Sequence, residues 1–170
     1  MRVGKKTLCF ALMLGLTAGV APAVAQKLLD SRERALFQAI SKKNAKAAIR
    51  ILKNGTIDAN LREPGGRTAL MQAALAGLDE VVQDLLERGA DVNAKSQEEQ
   101  TALMLAADAG DVDLVKLLLT KGADTKAKDR DEWTALQYAK MRVTGTEGER
   151  KKAYEEIVTV LEGAAKPAGE

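Results

Sequence analysis

The chain has 170 residues, with 26 basic and 24 acidic side chains, no histidine and one cysteine. Because histidine is absent, the sequence excludes Ser-His-Asp and Cys-His catalytic sites and histidine-based metal sites. The length indicates about one domain.

The N-terminal segment 1–25 predicts export. Basic residues within positions 2–6 precede a short apolar run, Leu8–Val20, and the small residues Ala23-Val24-Ala25 follow. This order is typical of a secretory signal peptide at 1–25, cleaved after Ala25. The apolar run is shorter than the roughly 20 residues that a spanning helix needs. We therefore expect a periplasmic protein that is not inserted in the membrane, with full secretion as the alternative.

Removal of the signal peptide changes the charge and the cysteine content. Residues 26–170 keep 23 basic and 24 acidic side chains, so the net charge falls from +2 to −1, and Cys9 is lost. A near-neutral protein lacks the concentrated positive field that nucleic-acid binding requires, so we expect no nucleic-acid partner. Without cysteine, the mature protein must be stabilised by its core alone.

The start of the mature chain predicts two short helices. Asp30 and Glu33 have the spacing of a capping box, and Asn44 is a second N-cap candidate before a helix that ends at Asn54-Gly55. Leu36 aligns with Leu70 after allowance for one extra residue, which marks this segment as a degenerate first repeat. Its other face is basic, as expected of the solvated surface of a terminal repeat, and carries Arg32, Lys42, Lys43, Lys46, Arg50 and Lys53.

The central part of the chain is a repeat with a period of about 33 residues, in the range that indicates a stacked architecture. Thr68-Ala69-Leu70-Met71 returns as Thr101-Ala102-Leu103-Met104 and as Thr134-Ala135-Leu136-Gln137. Each threonine is expected to cap a short helix, which Gly77 ends in the first copy, and Gly89 is expected to end the second helix of that copy. A helix pair of this size cannot bury its apolar face alone, so each pair requires the next in a stack.

The last repeat departs from this period. The apolar stripe of its second helix begins at Ile157. The corresponding residue of the preceding repeat is Leu114, so the period would place this stripe well before Ile157. The extra residues, Arg142–Lys152, are rich in charge and glycine, which predicts an exposed loop, with a lengthened last helix as the alternative. Residues 164–170 are predicted to be a flexible tail.

Together, the period, the T-x-L-x-x-A-A helix start, the mid-repeat glycines and the Gly89–Ala94 segment resemble ankyrin repeats. The resemblance implies an all-α solenoid over 26–163, with repeats near 30–60, 61–93, 94–126 and 127–163, degenerate first and last repeats, and β-hairpin-like loops. It also implies binding of another protein through the hairpin tips and the concave helix face.

Two departures from the family pattern affect these expectations. The usual histidine of each repeat is replaced by Met71, Met104 and Gln137, so stacking is expected to depend more on apolar contact. The glycine found at Gly66 is replaced by Glu99 and Glu132, so these turns are expected to be strained or to take another shape.

The candidate binding residues are those that the stack itself does not require. They comprise the tip residues of each predicted hairpin, the residue just before each repeated threonine, and, in two of the repeats, one residue near the end of the first helix. These positions are Pro64, Gly65, Arg67, Leu75, Gln97, Glu98, Gln100, Asp108, Arg130, Asp131 and Trp133. Trp133 has two interpretations: contact with a partner, since tryptophan is enriched at binding hot spots, or packing at the end of the stack.

Enzymatic activity is not expected. The carboxylate pairs Asp111/Asp113 and Asp129/Asp131 are better interpreted as helix caps and solvated loop residues than as acid/base pairs, and we expect no metal or cofactor. The expected function is a periplasmic protein-binding module, monomeric when unbound, that inhibits, confers immunity to or assists an exported enzyme. The alternatives are a small carboxylate-dependent hydrolase and a self-associating envelope protein.

Overall fold

A computed structural model describes residues 31–54 and 57–165. The predicted signal peptide, Asp30 and Gly55 lie outside the described residues. The described part forms eight helices and no named strand. The helices are α1 (Ser31–Ser41), α2 (Ala45–Lys53), α3 (Ala69–Ala76), α4 (Asp79–Glu87), α5 (Ala102–Ala109), α6 (Val112–Thr120), α7 (Ala135–Gly145) and α8 (Gly148–Ala165).

The helices are arranged as four antiparallel pairs in a stack. The first helices α1, α3, α5 and α7 pack against one another in order, while the second helix of each pair packs on its own first helix. The largest fully buried side chains come from every pair, and they include Leu36, Leu70, Leu103 and Ile157. The described residues therefore form one all-α repeat solenoid with a continuous core, as predicted.

The loops between repeats form three hairpin-like turns in the predicted register. The backbone N–H groups of Glu63, Ser96 and Asp129 donate to the carbonyls of the residues four positions later, at 2.9, 3.0 and 3.1 Å. Each turn is closed by a second bond across three residues, and the first turn also has an isolated antiparallel bridge between Arg62 and Thr68. Each turn thus presents equivalent positions to solvent.

Asparagine side chains connect successive repeats. Asn60 accepts from the N–H of Asp91 at 2.7 Å. Asn93, at the equivalent position of the next repeat, accepts from the N–H of Asp124 at 2.8 Å and donates to the carbonyl of Gly122 at 3.1 Å. Met71 and Met104 are fully buried, as the expectation of apolar stacking required. The hydrogen bonds of these asparagines add to the apolar contact between repeats.

Three non-glycine residues of the described chain have a positive φ, and each lies where another repeat has glycine. Lys43 (φ 53) corresponds to Gly77, while Glu99 (φ 60) and Glu132 (φ 63) correspond to Gly66. The backbone of Glu99 and Glu132 keeps the turn geometry that Gly66 adopts at φ 76. Of the two outcomes expected for these turns, strain without a change of shape is therefore the one observed.

The prediction of an exposed loop at Arg142–Lys152 is wrong. Helix α7 continues to Gly145 and α8 begins at Gly148, so most of the extra residues are helical, as the alternative proposed. The reason lies at Val143, which occupies the register position of Gly77 and Gly110. A β-branched residue disfavours the left-handed conformation that ends the earlier helices, so the helix continues past Val143. It ends instead at Thr146, whose backbone is extended.

The C-terminal boundary also differs from the prediction. Helix α8 continues to Ala165, two residues into the segment predicted to be a tail, and residues 166–170 lie outside the described part. Among the helices of the described residues, none has the length and apolar character needed to cross a membrane.

Replacement of Glu99 by glycine should stabilise the protein. Glycine adopts a positive φ without the penalty of about 1–2 kcal/mol that other residues incur. After the larger entropy loss of glycine on folding, the net gain in the free energy of unfolding should be about 0.5–1 kcal/mol. Urea denaturation measures it. Glu98→Gly is the matched control, and it should destabilise; equal effects of both substitutions would contradict the assignment of strain to Glu99.

Replacement of Asn93 by alanine should weaken the contact between the second and third repeats. The substitution removes two hydrogen bonds between repeats and should lower the free energy of unfolding by about 1–2 kcal/mol. Lys126→Ala, at the equivalent position of the next repeat, is the control and should change it by less than about 0.5 kcal/mol. If the two variants lose the same stability, the asparagine bonds do not hold the repeats together.

Candidate functional site

The tips of the three hairpins lie on the surface. Their exposed side chains differ in size and charge from one hairpin to the next, and the predicted binding residues among them are Pro64, Gly65, Gln97, Glu98, Arg130 and Asp131. The backbone of these turns is held by the same hydrogen bonds in each repeat. The tips are therefore a row of variable side chains on a constant scaffold.

Neighbouring hairpins contact each other directly. A Cβ atom on Gly66 would lie 2.7 Å from Cγ of Gln97, so glycine at this position lets the second hairpin approach the first closely. The N–H of Arg130 donates to the carbonyl of Glu98 at 3.1 Å, which connects the second hairpin to the third. These contacts fix the spacing of the tips before any partner binds.

The residues just before the repeated threonines lie in three different environments. Arg67 is half-buried, and its guanidinium has no ion pair within the described residues. The side-chain amide of Gln100 donates to the hydroxyl of Tyr138 at 3.2 Å. Trp133 is half-buried and packs edge-to-face on Tyr138, with ring centroids 5.5 Å apart. Trp133 thus has a contact within its own repeat and keeps part of its surface open to solvent.

A buried carboxylate supports the third hairpin. Asp129 is 5% exposed, and it accepts hydrogen bonds from the Tyr138 hydroxyl at 2.6 Å and from the N–H groups of Trp133 and Asp131 at 2.9 and 3.0 Å. Burial by itself would raise the pKa of Asp129, but these hydrogen bonds outweigh it and lower the pKa. The carboxylate is therefore ionised and committed to the turn, just as the Ser96 hydroxyl is committed to the second hairpin.

A second row of candidate residues lies along the first helices. Leu75 and Met141 are the two exposed large apolar residues of the described chain, at 40% and 42% exposure. Asp108 lies midway between them in the sequence, one period from each, so the three occupy equivalent positions on α3, α5 and α7. We call these three residues the inner row. It places a charged residue between two apolar ones.

Asp108 has a fixed orientation. Arg142 donates to both of its carboxylate oxygens, at 2.7 and 3.0 Å, and the hydroxyl of Tyr154 donates to its backbone carbonyl at 3.0 Å. Bidentate arginine–carboxylate pairs have a defined geometry. Asp108 is therefore presented together with the Arg142 guanidinium rather than as a lone negative charge.

Sequence reasoning missed Met141, Arg142 and Tyr138 as components of this surface. Met141 could have been found by extending the register from Leu75 through Asp108 for one more period. Arg142 was assigned to a loop, and nothing in the sequence pairs it with Asp108. Tyr138 follows the threonine motif at a position occupied by Leu105 in the preceding repeat, which gives no sign of a hydrogen-bonding role.

Carboxylates of both predicted pairs make structural contacts. Asp111 caps α6, as predicted, by accepting from the N–H of Leu114 at 3.0 Å. The prediction that Asp129 is a solvated loop residue is wrong, because its carboxylate is buried and holds the turn through its hydrogen bonds. Burial, followed by the nearby carboxylates of Asp111 and Asp113, raises the pKa of Asp79 at the start of α4. In the described part of the chain, no three acidic side chains converge as ligands for a metal ion.

Comparison with protein families gave two overlapping matches. A family model described as ankyrin repeats (3 copies) matches residues 3–96, and one described as ankyrin repeats (many copies) matches residues 85–139. A search of curated proteins gave no match. The first match spans more than half of the chain, and the two together include all three hairpins and the first seven helices, up to Ala139 in α7.

Replacement of Tyr138 by phenylalanine should reduce stability in a pH-dependent manner. The substitution leaves a buried carboxylate oxygen of Asp129 without its donor, which should lower the free energy of unfolding by about 1–3 kcal/mol at neutral pH. The pKa of Asp129 is lowered in the folded state, so the carboxylate stabilises the fold above its unfolded pKa of about 3.9 and ceases to do so as the pH falls through the folded value. The difference between the two proteins should therefore narrow below about pH 4.

The measurement is urea denaturation at neutral and acidic pH. Tyr154→Phe is the matched control, because it removes a hydrogen bond to a neutral backbone carbonyl, and its effect should not depend on pH in this way. If both variants show the same pH dependence, the Tyr138 hydroxyl does not act through the ionised form of Asp129.

Proposed function

Since the chain belongs to the ankyrin-repeat family, we propose that it is a non-enzymatic periplasmic module that binds another protein through its hairpin tips and inner row. Ankyrin-repeat proteins generally mediate protein–protein binding, and that coarser function follows from membership. The location follows from the signal peptide predicted at 1–25. The main support for the proposed binding surface is that the hairpin backbone is the same in each repeat while its exposed side chains differ.

The composition of this surface suits a protein partner. Trp133 offers part of an aromatic ring, Leu75 and Met141 offer apolar area, and Arg67 offers a guanidinium without an ion pair in the described chain. Tryptophan and arginine are enriched among residues that dominate binding energy, and apolar side chains gain when a partner removes them from water. These groups are spread along the described stack, whereas a small-molecule site would gather them around one cavity.

The surface is organised before binding. The hairpins are joined to each other, Asp129 fixes the third turn, and Arg142 fixes Asp108. A rigid surface loses little conformational entropy on association, so more of its contact energy appears as affinity. We propose that such a surface either covers the active-site cleft of an exported enzyme, as an inhibitor or immunity protein, or supports that enzyme as an accessory subunit. The protein is monomeric when unbound.

The double substitution Arg67→Ala and Trp133→Ala should weaken capture of the partner. Cross-linking in the periplasm followed by pull-down of the tagged chain identifies the partner, and titration of that purified partner then gives the affinity. We expect a loss of at least about tenfold, equivalent to about 1.4 kcal/mol. The thermal midpoint should fall by only a few degrees, because the edge-to-face contact with Tyr138 contributes about 0.5–1.5 kcal/mol.

Arg150→Ala with Lys151→Ala, on exposed positions of α8, is the matched control and should leave the affinity within about twofold. A large loss of stability with unchanged affinity would make Trp133 a structural residue and would contradict this surface. Retention of catalytic activity toward the partner's substrate in the complex would favour the accessory role over inhibition.

A further inference from the structure

The charges of the described residues are divided unequally along the stack. Residues 31–54, which form the first helix pair, carry seven basic side chains and one acidic side chain, a net charge of +6. Residues 57–165 carry 14 basic and 21 acidic side chains, a net charge of −7. All seven basic residues are exposed, and we call six of them, without Arg34, the basic face: Arg32, Lys42, Lys43, Lys46, Arg50 and Lys53.

From this division we propose that the basic face docks an acidic surface patch of the protein partner. The proposal rests on the proposed function only in taking the partner to be a protein. The basic face lies on the first helix pair and shares no residue with the hairpin tips or the inner row. It would act as a second, electrostatic contact that orients the partner on its approach.

The positive charge of the basic face is not neutralised within the described protein. Seven basic residues between Arg88 and Lys152 form ion pairs with acidic side chains. In the part of the chain that the structure describes, none of the six residues of the basic face has such a pair. A solvated surface of mixed charge would show internal pairing, as the later repeats do, whereas this face keeps its full charge for an external partner.

The geometry of α2 forms these charges into a strip. Lys46, Arg50 and Lys53 have the i, i+4 and i+7 spacing that places side chains along one face of a helix, over about 10 Å of its axis. Lys42 and Lys43 extend the strip at the α1–α2 turn, where Lys43 is held at φ 53. The strip therefore matches the length of a short run of carboxylates.

A recess lies beside the strip at Arg50. Arg32 of α1 and Arg50 of α2 line a recess of about 380 Å³ together with Ile51, which is half-buried. Two guanidinium groups beside one cavity can bind a carboxylate in a bidentate manner, which adds directional preference to the charge attraction of the lysines.

The opposite charge of the later repeats favours a compact acidic patch over an extended polyanion. A duplex or a membrane is larger than the first helix pair, so wherever it also comes within the screening length of about 8 Å of the later repeats, their net negative charge repels it. Membrane binding by an amphipathic helix also requires apolar side chains free to insert, and Ile49 and Ile51 on α2 pack against the core instead.

The test uses as the probe a short labelled peptide of about four glutamates, which extends little beyond the strip, with the purified full chain at low ionic strength. The triple variant Lys46→Gln, Arg50→Gln and Lys53→Gln should bind it about tenfold more weakly than the unmodified protein, with a smaller dependence on salt. The matched control is Lys126→Gln, Arg150→Gln and Lys151→Gln, which removes the same net charge from exposed positions of the described chain and should stay within about twofold. Circular dichroism verifies that both variants remain helical.

Several results would overturn the proposal. These are a lack of peptide binding by the unmodified protein, an equal loss in both triple variants, or binding of anionic phospholipid vesicles or duplex DNA that equals peptide binding and requires the same three residues. The Arg67→Ala, Trp133→Ala variant should bind the peptide normally. Failure of the hairpin surface and failure of the basic face are therefore distinguishable, because each has its own variant and its own probe.

Discussion

Lateral stacking of the first helices is the constraint on which the rest of the molecule depends. Helices α3 to α6 have eight or nine residues, too few to be stable alone in water. Their stability comes from burial between neighbours: Leu70 and Met71 of one pair and Leu103 and Met104 of the next are all at most 1% exposed. The hairpins and the inner row keep their spacing because they project from this stack.

The repeat register predicted most of the fold, because it specifies helix starts, helix ends and turns together. The threonine caps and the left-handed glycines lie where the period requires them. The register failed between Arg142 and Lys152, where composition alone suggested a loop. Val143, at the position of the earlier glycines, was the local sign of a longer helix. The further support comes from contacts far apart in the sequence, such as Tyr154 packing against Gly110, and local patterns contain no information about such pairs.

The exposure of the hairpin-tip residues was predictable from the sequence, but the contacts of the candidate residues were not. The period indicates which residues leave the stack, and the structure finds the hairpin-tip residues exposed. The period could not indicate that Arg142 binds Asp108 or that Gln100 donates to Tyr138, since each of these contacts joins two different repeats. From the sequence alone, the basic residues of α2 resemble an ordinary solvated face. In the described stack, basic residues of the later repeats form ion pairs, whereas those of α2 do not.

The asparagine bonds between repeats also bear on how a chain of this kind can change length. Asn60 and Asn93 each bind the following repeat, whereas the next position in the series is Lys126, which cannot accept a hydrogen bond through its side chain. A duplicated copy of residues 61–93 inserted between existing repeats would find a matching asparagine on one side and a matching backbone donor on the other. A copy inserted after Lys126 would find no such acceptor on the preceding repeat, so these hydrogen bonds favour duplication after Asn60 or Asn93 over duplication at the junction of the third and fourth repeats.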